Sequence, residues 1–168
     1  MIYLGAVLLF IASLVQTVVL PQTLPLAARP QLVVLLVMAV CLVESLYDAA
    51  IWGFMGGLML DLMNGPMLPL GSNALMLVLI ALLASMGRAN PFHNRLVLPF
   101  VVAFFGTTFY IMMTMALAFA LGSKVAFVEN FLLVALPSAI LNAILMPVAY
   151  SSILWLSLKV GRRVQVEW

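Results

Sequence analysis

Asp61 lies in the stretch Trp52–Gly65, WGFMGGLMLDLMNG, which is otherwise uncharged and carries four glycines. A lone carboxylate in an apolar segment must be paired, sit near an interface or be protonated. Near a bilayer centre it costs about 2.5–3.5 kcal/mol on insertion scales. Gly53, Gly57 and Asp61 follow an i, i+4, i+8 spacing, which on a helix drifts only about 80° around the axis. Gly53-x-x-x-Gly57 is a small-residue pattern that lets a neighbouring backbone approach closely. The carboxylate is therefore expected to point at another helix, and Arg29 is its expected partner at the outer end of the bundle. The plainer alternative is that Asp61 only caps or anchors a helix end.

Other chemistry is sparse. Glu44 and Asp48 are also four residues apart and read as a solvated turn, or less plainly as a docking point for Arg88 or Arg95. His93 is the only histidine and Cys41 the only cysteine, so the usual transition-metal ligand set and any internal disulfide are excluded. HExxH, GxSxG and GxxxxGK[ST] do not occur, which argues against zinc-protease, nucleophile-elbow and nucleotide-driven chemistry. His93 reads as a solvated loop residue. The sequence is thus expected to encode no enzyme and to hold no cofactor.

The elements that must position these residues are membrane helices. Of 168 residues, 67% are hydrophobic and 7% charged, against about 25% charged in a soluble domain. Mean hydropathy is +1.28. Long apolar runs without strict alternation call for helices rather than a β-barrel. The chain reads as one all-α transmembrane domain over residues 1–168, a six-helix bundle with segments near 2–20, 31–46, 49–63, 72–87, 96–121 and 131–158. The first run is expected to be a retained helix rather than a signal peptide. The second, third and fourth segments are short for a span of about 20 residues, and the second and third are alternatively a re-entrant pair. In the sixth, Pro147 should bend the helix and Asn142 could hydrogen-bond across helices.

With six spans, Arg88, Arg95, Lys159, Arg162 and Arg163 share one side, while Arg29 and Lys124 share the other. The positive-inside rule then places both termini in the cytoplasm. A pocket-forming reading is also open. Gln16, Asn73, Thr107, Thr108, Tyr110, Thr114, Ser138 and Asn142 could line a small cavity, although no internal repeat of the kind common in secondary transporters is evident.

Arg29-Pro30 opens the second segment. Gly53-Phe54-x-x-Gly57-Leu58-x-x-Asp61-Leu62 fills the third, and Leu70-Gly71 with Ala74-Leu75 follows. Asn142, Pro147 and a basic tail complete the order. This arrangement resembles the family of the rod shape-determining membrane protein MreD over nearly the whole chain. No single motif is specific; order and spacing carry the likeness. The stretch Pro66–Pro69 looks longer than usual, and the first helix lacks a basic flank.

The resemblance implies a bacterial inner-membrane scaffold. It implies direct binding to MreC, a bitopic protein, and membership of the elongation machinery with MreB, RodA and a class B penicillin-binding transpeptidase. It implies control of cell shape and lateral peptidoglycan synthesis, and a fold similar to the S-components of energy-coupling factor transporters. On this reading Arg29, Gly53, Gly57, Asp61, Asn142 and Pro147 are partner-binding or fold-defining, and the glycine face fixes the third segment against the first and second. The alternative is a small-molecule-binding membrane subunit of the S-component kind. A scaffold predicts an apolar outer groove, whereas a binding subunit predicts an enclosed pocket with convergent polar groups.

Overall fold

The computed structural model describes residues 2–23, 29–64, 68–88, 97–123 and 126–159, apart from the side chains at 2, 3, 23 and 86–88. His93, Arg95, Lys124, Arg162 and Arg163 lie outside the described residues, as does the Arg88 side chain. The described residues are all-helical and form six helices. Helix α1 runs Ile2–Leu14, passes through a π-helical turn at Val15–Val19 and closes with Leu20–Thr23. Then come α2 (Leu32–Val43), α3 (Leu46–Met63), α4 (Ser72–Arg88) and α5 (Leu98–Ala120). Helix α6 begins at Phe127–Asn130, crosses a second π-helical turn at Phe131–Ala135 and continues as Leu136–Lys159.

Both π-turns have the same sequence cause. Each ends one residue before a Leu-Pro pair, Leu20-Pro21 or Leu136-Pro137. A proline ring collides with the carbonyl four residues back and offers it no N–H. The wider turn relieves this, and the preceding leucine donates instead to Val15 or Phe131. Such single π-turns are tolerated inside α-helices and often sit at functional positions. Pro147 is absorbed differently: α6 runs through it.

Helix α2 sits at the centre. Nine of its residues, Val33 through Val43, are buried, and it touches each of the other five helices. A helix that is apolar all round belongs in an interior. At 12 residues it is about 18 Å long and does not by itself cross a hydrocarbon core of about 30 Å. Among the described residues, three helices are long and apolar enough to cross: Leu4–Gln22 of α1, α5 and Phe127–Lys159 of α6.

The break between α2 and α3 falls earlier than the sequence suggests. Glu44 ends α2 in an extended conformation, and Ser45 caps α3 by accepting from the Asp48 N–H at 3.2 Å. The Ser45 hydroxyl donates back to the Asp48 carboxylate at 2.6 Å. Glu44 and Asp48 are therefore not neighbours on one helix. They flank a capped corner.

Small residues set the closest helix approaches. A Cβ at Gly57 would fall inside the backbone of Asn73 and Ala74, and one at Gly53 would lie 3.0 Å from the Leu77 carbonyl oxygen. The Gly53/Gly57 face thus packs on α4, not on the first and second helices as expected from sequence. Gly56 takes that role: a Cβ there would meet Val33 of α2 at 2.8 Å and Leu9 of α1 at 3.1 Å.

Candidate functional site: two helix starts capped from neighbouring helices

Helices α2 and α4 both begin at half-buried positions packed against neighbouring helices, where their first N–H groups need acceptors. Within a bilayer each unsatisfied group costs several kcal/mol. Neither helix brings a local cap. Gln31, at the cap of α2, makes no side-chain capping bond, and α4 is preceded by Gly71 at φ +95°, which has no side chain to offer. Each helix borrows its cap.

Asp61 supplies the cap for α4. Its carboxylate accepts from the N–H of Gly71 at 2.9 Å, of Asn73 at 3.1 Å and of Ala74 at 3.4 Å. The remaining first-turn donor, Ser72 N–H, goes to the Pro69 carbonyl at 3.1 Å. All four orphan donors of the helix start are accounted for. The negative charge also meets the positive end of the α4 dipole. The local sequence makes this possible. Gly57, one turn before Asp61, brings the α3 backbone against the first turn of α4, and Asp61 then reaches across.

The network continues sideways. The Asn73 amide donates to Asp61 at 2.8 Å, and the Tyr110 hydroxyl of α5 donates to the Asn73 carbonyl oxygen at 2.6 Å. All three residues are buried.

The start of α2 is capped by two helices at once. From α1, the Gln16 carbonyl oxygen accepts from Val33 N–H at 3.0 Å, while its amide donates to the Gln31 side chain at 2.7 Å. From α6, the Asn142 carbonyl oxygen accepts from Gln31 N–H at 3.0 Å. The Asn142 amide donates to the Thr107 hydroxyl of α5 at 2.9 Å and reaches the Gln31 carbonyl at 3.4 Å. One helical turn earlier on α6, the Ser138 hydroxyl accepts from Arg29 N–H at 3.1 Å.

The residues singled out from sequence therefore separate. Gly53, Gly57 and Asp61 share the α3–α4 contact. Asn142 belongs to the α2 cap, with Arg29 beside it through its backbone. The expected pairing of Arg29 with Asp61 gives way to these bonds: the Arg29 side chain is exposed, and the Asp61 carboxylate is spent on the α4 start. Pro147 lies more than a turn beyond Asn142 on α6. Gln31, Asn73 and Tyr110 were not singled out as cap residues. The available signal was two apolar helices with no capping side chain of their own.

These bonds tie both helix starts to the long pair. The start of α4 is joined to Tyr110, and the start of α2 to Thr107 and Asn142, in the middle parts of α5 and α6. Phe119 of α5 and Phe127 of α6 meet edge-to-face, with ring centroids 5.4 Å apart.

Among the described residues there is no cluster of three or more His, Cys, Asp or Glu side chains that could hold a metal. The family model for rod shape-determining protein MreD matches residues 1–159 of this chain. No curated protein and no solved structure matches.

Proposed function

Because the chain belongs to the MreD family of rod shape-determining membrane proteins, we propose that it is a non-enzymatic scaffold of the bacterial elongation machinery. In this reading it binds MreC directly through membrane helices. It works alongside MreB, RodA and a class B penicillin-binding transpeptidase to direct lateral peptidoglycan synthesis. It lies in the cytoplasmic membrane with both termini inside. Arg29, Gly53, Gly57, Asp61, Asn142 and Pro147 define the fold that shapes the partner surface.

One observation carries the scaffold over a small-molecule-binding subunit. The polar side chains that could have lined a pocket are committed to the fold. Gln16, Asn142 and Ser138 serve the start of α2, and Thr107 accepts from Asn142. Asn73 and Tyr110 complete the Asp61 network. Thr108 and Thr114 donate back to their own helix at Phe104 and Tyr110. A ligand site needs polar groups that converge on the ligand, and these converge on backbone and on each other. The outward faces are large and apolar: Val7, Phe10 and Leu14 on α1, Phe54, Leu58 and Leu62 on α3, and Ile144, Val148 and Trp155 on α6.

The test is co-purification with MreC from detergent, using the wild type and three variants. Each variant carries alanine at one of those outward triplets, and thermal unfolding is followed in parallel. Capture by the wild type and loss in one triplet with unchanged unfolding support the scaffold. Absence of capture by the wild type, under conditions that hold other membrane complexes together, overturns it.

A further inference from the structure

Lys159 is a cation held in place without a counter-ion. From Asn130 to Leu158 the sequence of α6 carries no charged residue, and this apolar run ends at Lys159. The Lys159 ammonium lies over the Trp155 ring, 4.1 Å from its centroid. Both side chains are exposed. Among the described residues no carboxylate pairs with Lys159. Two more cations, Arg162 and Arg163, follow in sequence, and no acid occurs before Glu167. The negative face of an indole attracts an ammonium, so the stack fixes the charge against the helix. An ammonium has three donors, and one ring face leaves the others for a ligand.

The same face of α6 continues as an apolar track. Ile144, Val148, Ser151, Trp155 and Lys159 are all exposed, and their spacing puts them within about 80° of one another around the helix. The Ser151 hydroxyl donates to the Pro147 carbonyl and the neighbouring Ser152 hydroxyl to the Val148 carbonyl, each at 2.7 Å. These hydroxyl protons are spent on their own helix, so the donors this face offers a ligand are those of Lys159. Ile144 and Lys159 are about 22 Å apart at helical rise. That matches one leaflet with its headgroup, half of a bilayer about 40–45 Å thick. The track thus has the length of one phospholipid, apolar along the acyl chains and cationic at the headgroup.

We propose that the C-terminal end of α6 is a binding site for an anionic phospholipid. The Lys159 ammonium, held over Trp155, bonds the headgroup phosphate, and an acyl chain lies along Trp155, Val148 and Ile144. Charge decides the occupant: a zwitterionic lipid brings its own cation to the site, whereas an anionic one leaves the attraction to Lys159, Arg162 and Arg163 uncancelled. Lipid on α6 leaves the outward faces of α1 and α3 open to a protein partner.

Trp155 itself reports the occupant. The full chain is reconstituted in phosphatidylcholine vesicles containing either brominated phosphatidylglycerol or brominated phosphatidylcholine, whose acyl chains quench nearby tryptophan. Trp52 is buried, and Trp168→Phe removes the tail indole. The difference between Trp168→Phe and the Trp155→Phe/Trp168→Phe double variant isolates Trp155. Quenching against mole fraction gives the relative association of the two lipids. Phosphatidylglycerol should be preferred by about five-fold, the value of one cation at the membrane surface. Lys159→Gln should bring the preference within about two-fold, while Lys159→Arg, which stacks and bonds phosphate as well, should keep it. Helicity by circular dichroism is checked for each variant. A preference below about two-fold in the Trp168→Phe protein, or one undiminished by Lys159→Gln, would overturn the proposal. A millimolar excess of inorganic phosphate at constant ionic strength should leave the preference unchanged; its loss would assign the site to a free anion and overturn the lipid reading.

Discussion

Replacing Asp61 tests whether the α4 start is held by a borrowed cap. In Asp61→Ala, Gly71, Asn73 and Ala74 lose the acceptor of their N–H groups, and the Asn73 amide loses a fourth bond. The Ala74 contact at 3.4 Å is weak, so three strong donors count. Leaving a buried donor unsatisfied costs about 1–3 kcal/mol, and loss of an ordinary cap costs about 0.5–2 kcal/mol. The bonds share one acceptor and partial relaxation is available, so a total of about 3–5 kcal/mol is expected rather than a simple sum. Asp61→Asn keeps one oxygen and the shape. Its amide, however, faces either the Gly71 side or the Asn73 side with a donor, giving about 1–3 kcal/mol. The assay is reversible unfolding in mixed micelles followed by circular dichroism, with Tyr110→Phe as companion. Tyr110→Phe removes a single hydroxyl bond, worth about 1 kcal/mol. Combined with Asp61→Ala it should cost less than the sum, because Asn73 has already lost its anchor. An Asp61→Ala loss below about 0.5 kcal/mol would refute the capping argument, since that is the size of an ordinary surface change.

Three further outcomes follow from the packing and the second cap. Alanine at Gly57 should destabilise more than alanine at Gly56, because the added methyl meets the Asn73–Ala74 backbone in one case and the movable Val33 and Leu9 side chains in the other; the order of the two unfolding midpoints checks this. Asn142→Leu should cost about 2–4 kcal/mol by leaving Gln31 N–H and the Thr107 hydroxyl without their partner, whereas Thr107→Val should cost about 1 kcal/mol. Gln16→Leu strips Val33 N–H of its acceptor. It should unlock the start of α2 and speed amide exchange at Gln31 and Val33, while exchange in the middle of α2 stays slow.

Much of this architecture is legible from residue type. The low charge and long apolar runs place the chain in a membrane, and proline and glycine punctuation marks six helices close to where they lie. The glycine spacing announces a close helix contact, and it exists. What spacing does not disclose is the neighbour. Gly53 and Gly57 are compatible with any adjacent helix, and the choice of α4 is made in three dimensions by the fit of the Asn73–Ala74 backbone. The partner of Asp61 is hidden for a related reason. A search for an opposite charge leads to Arg29, yet a helix start presents a cluster of N–H groups that serves a carboxylate as well as a cation does. That cluster belongs to backbone and leaves no trace in composition.

The missing signal can be found by accounting for backbone donors. A soluble helix that begins at Gly71-Ser72 or Gln31-Leu32 can leave its first N–H groups to water. A membrane helix that begins near the bilayer centre cannot, so a short apolar helix without Ser, Thr, Asp or Asn at its cap position implies an acceptor elsewhere in the chain. Here Asp61, Gln16 and Asn142 are such acceptors, each on a different helix from the donors it serves. The same logic explains why two helices without caps of their own can start in this bundle. Both starts are joined to α5, which supplies Tyr110 and Thr107 to complete the networks. Side chains from α1, α3 and α6 thus tie both helix starts to their neighbours.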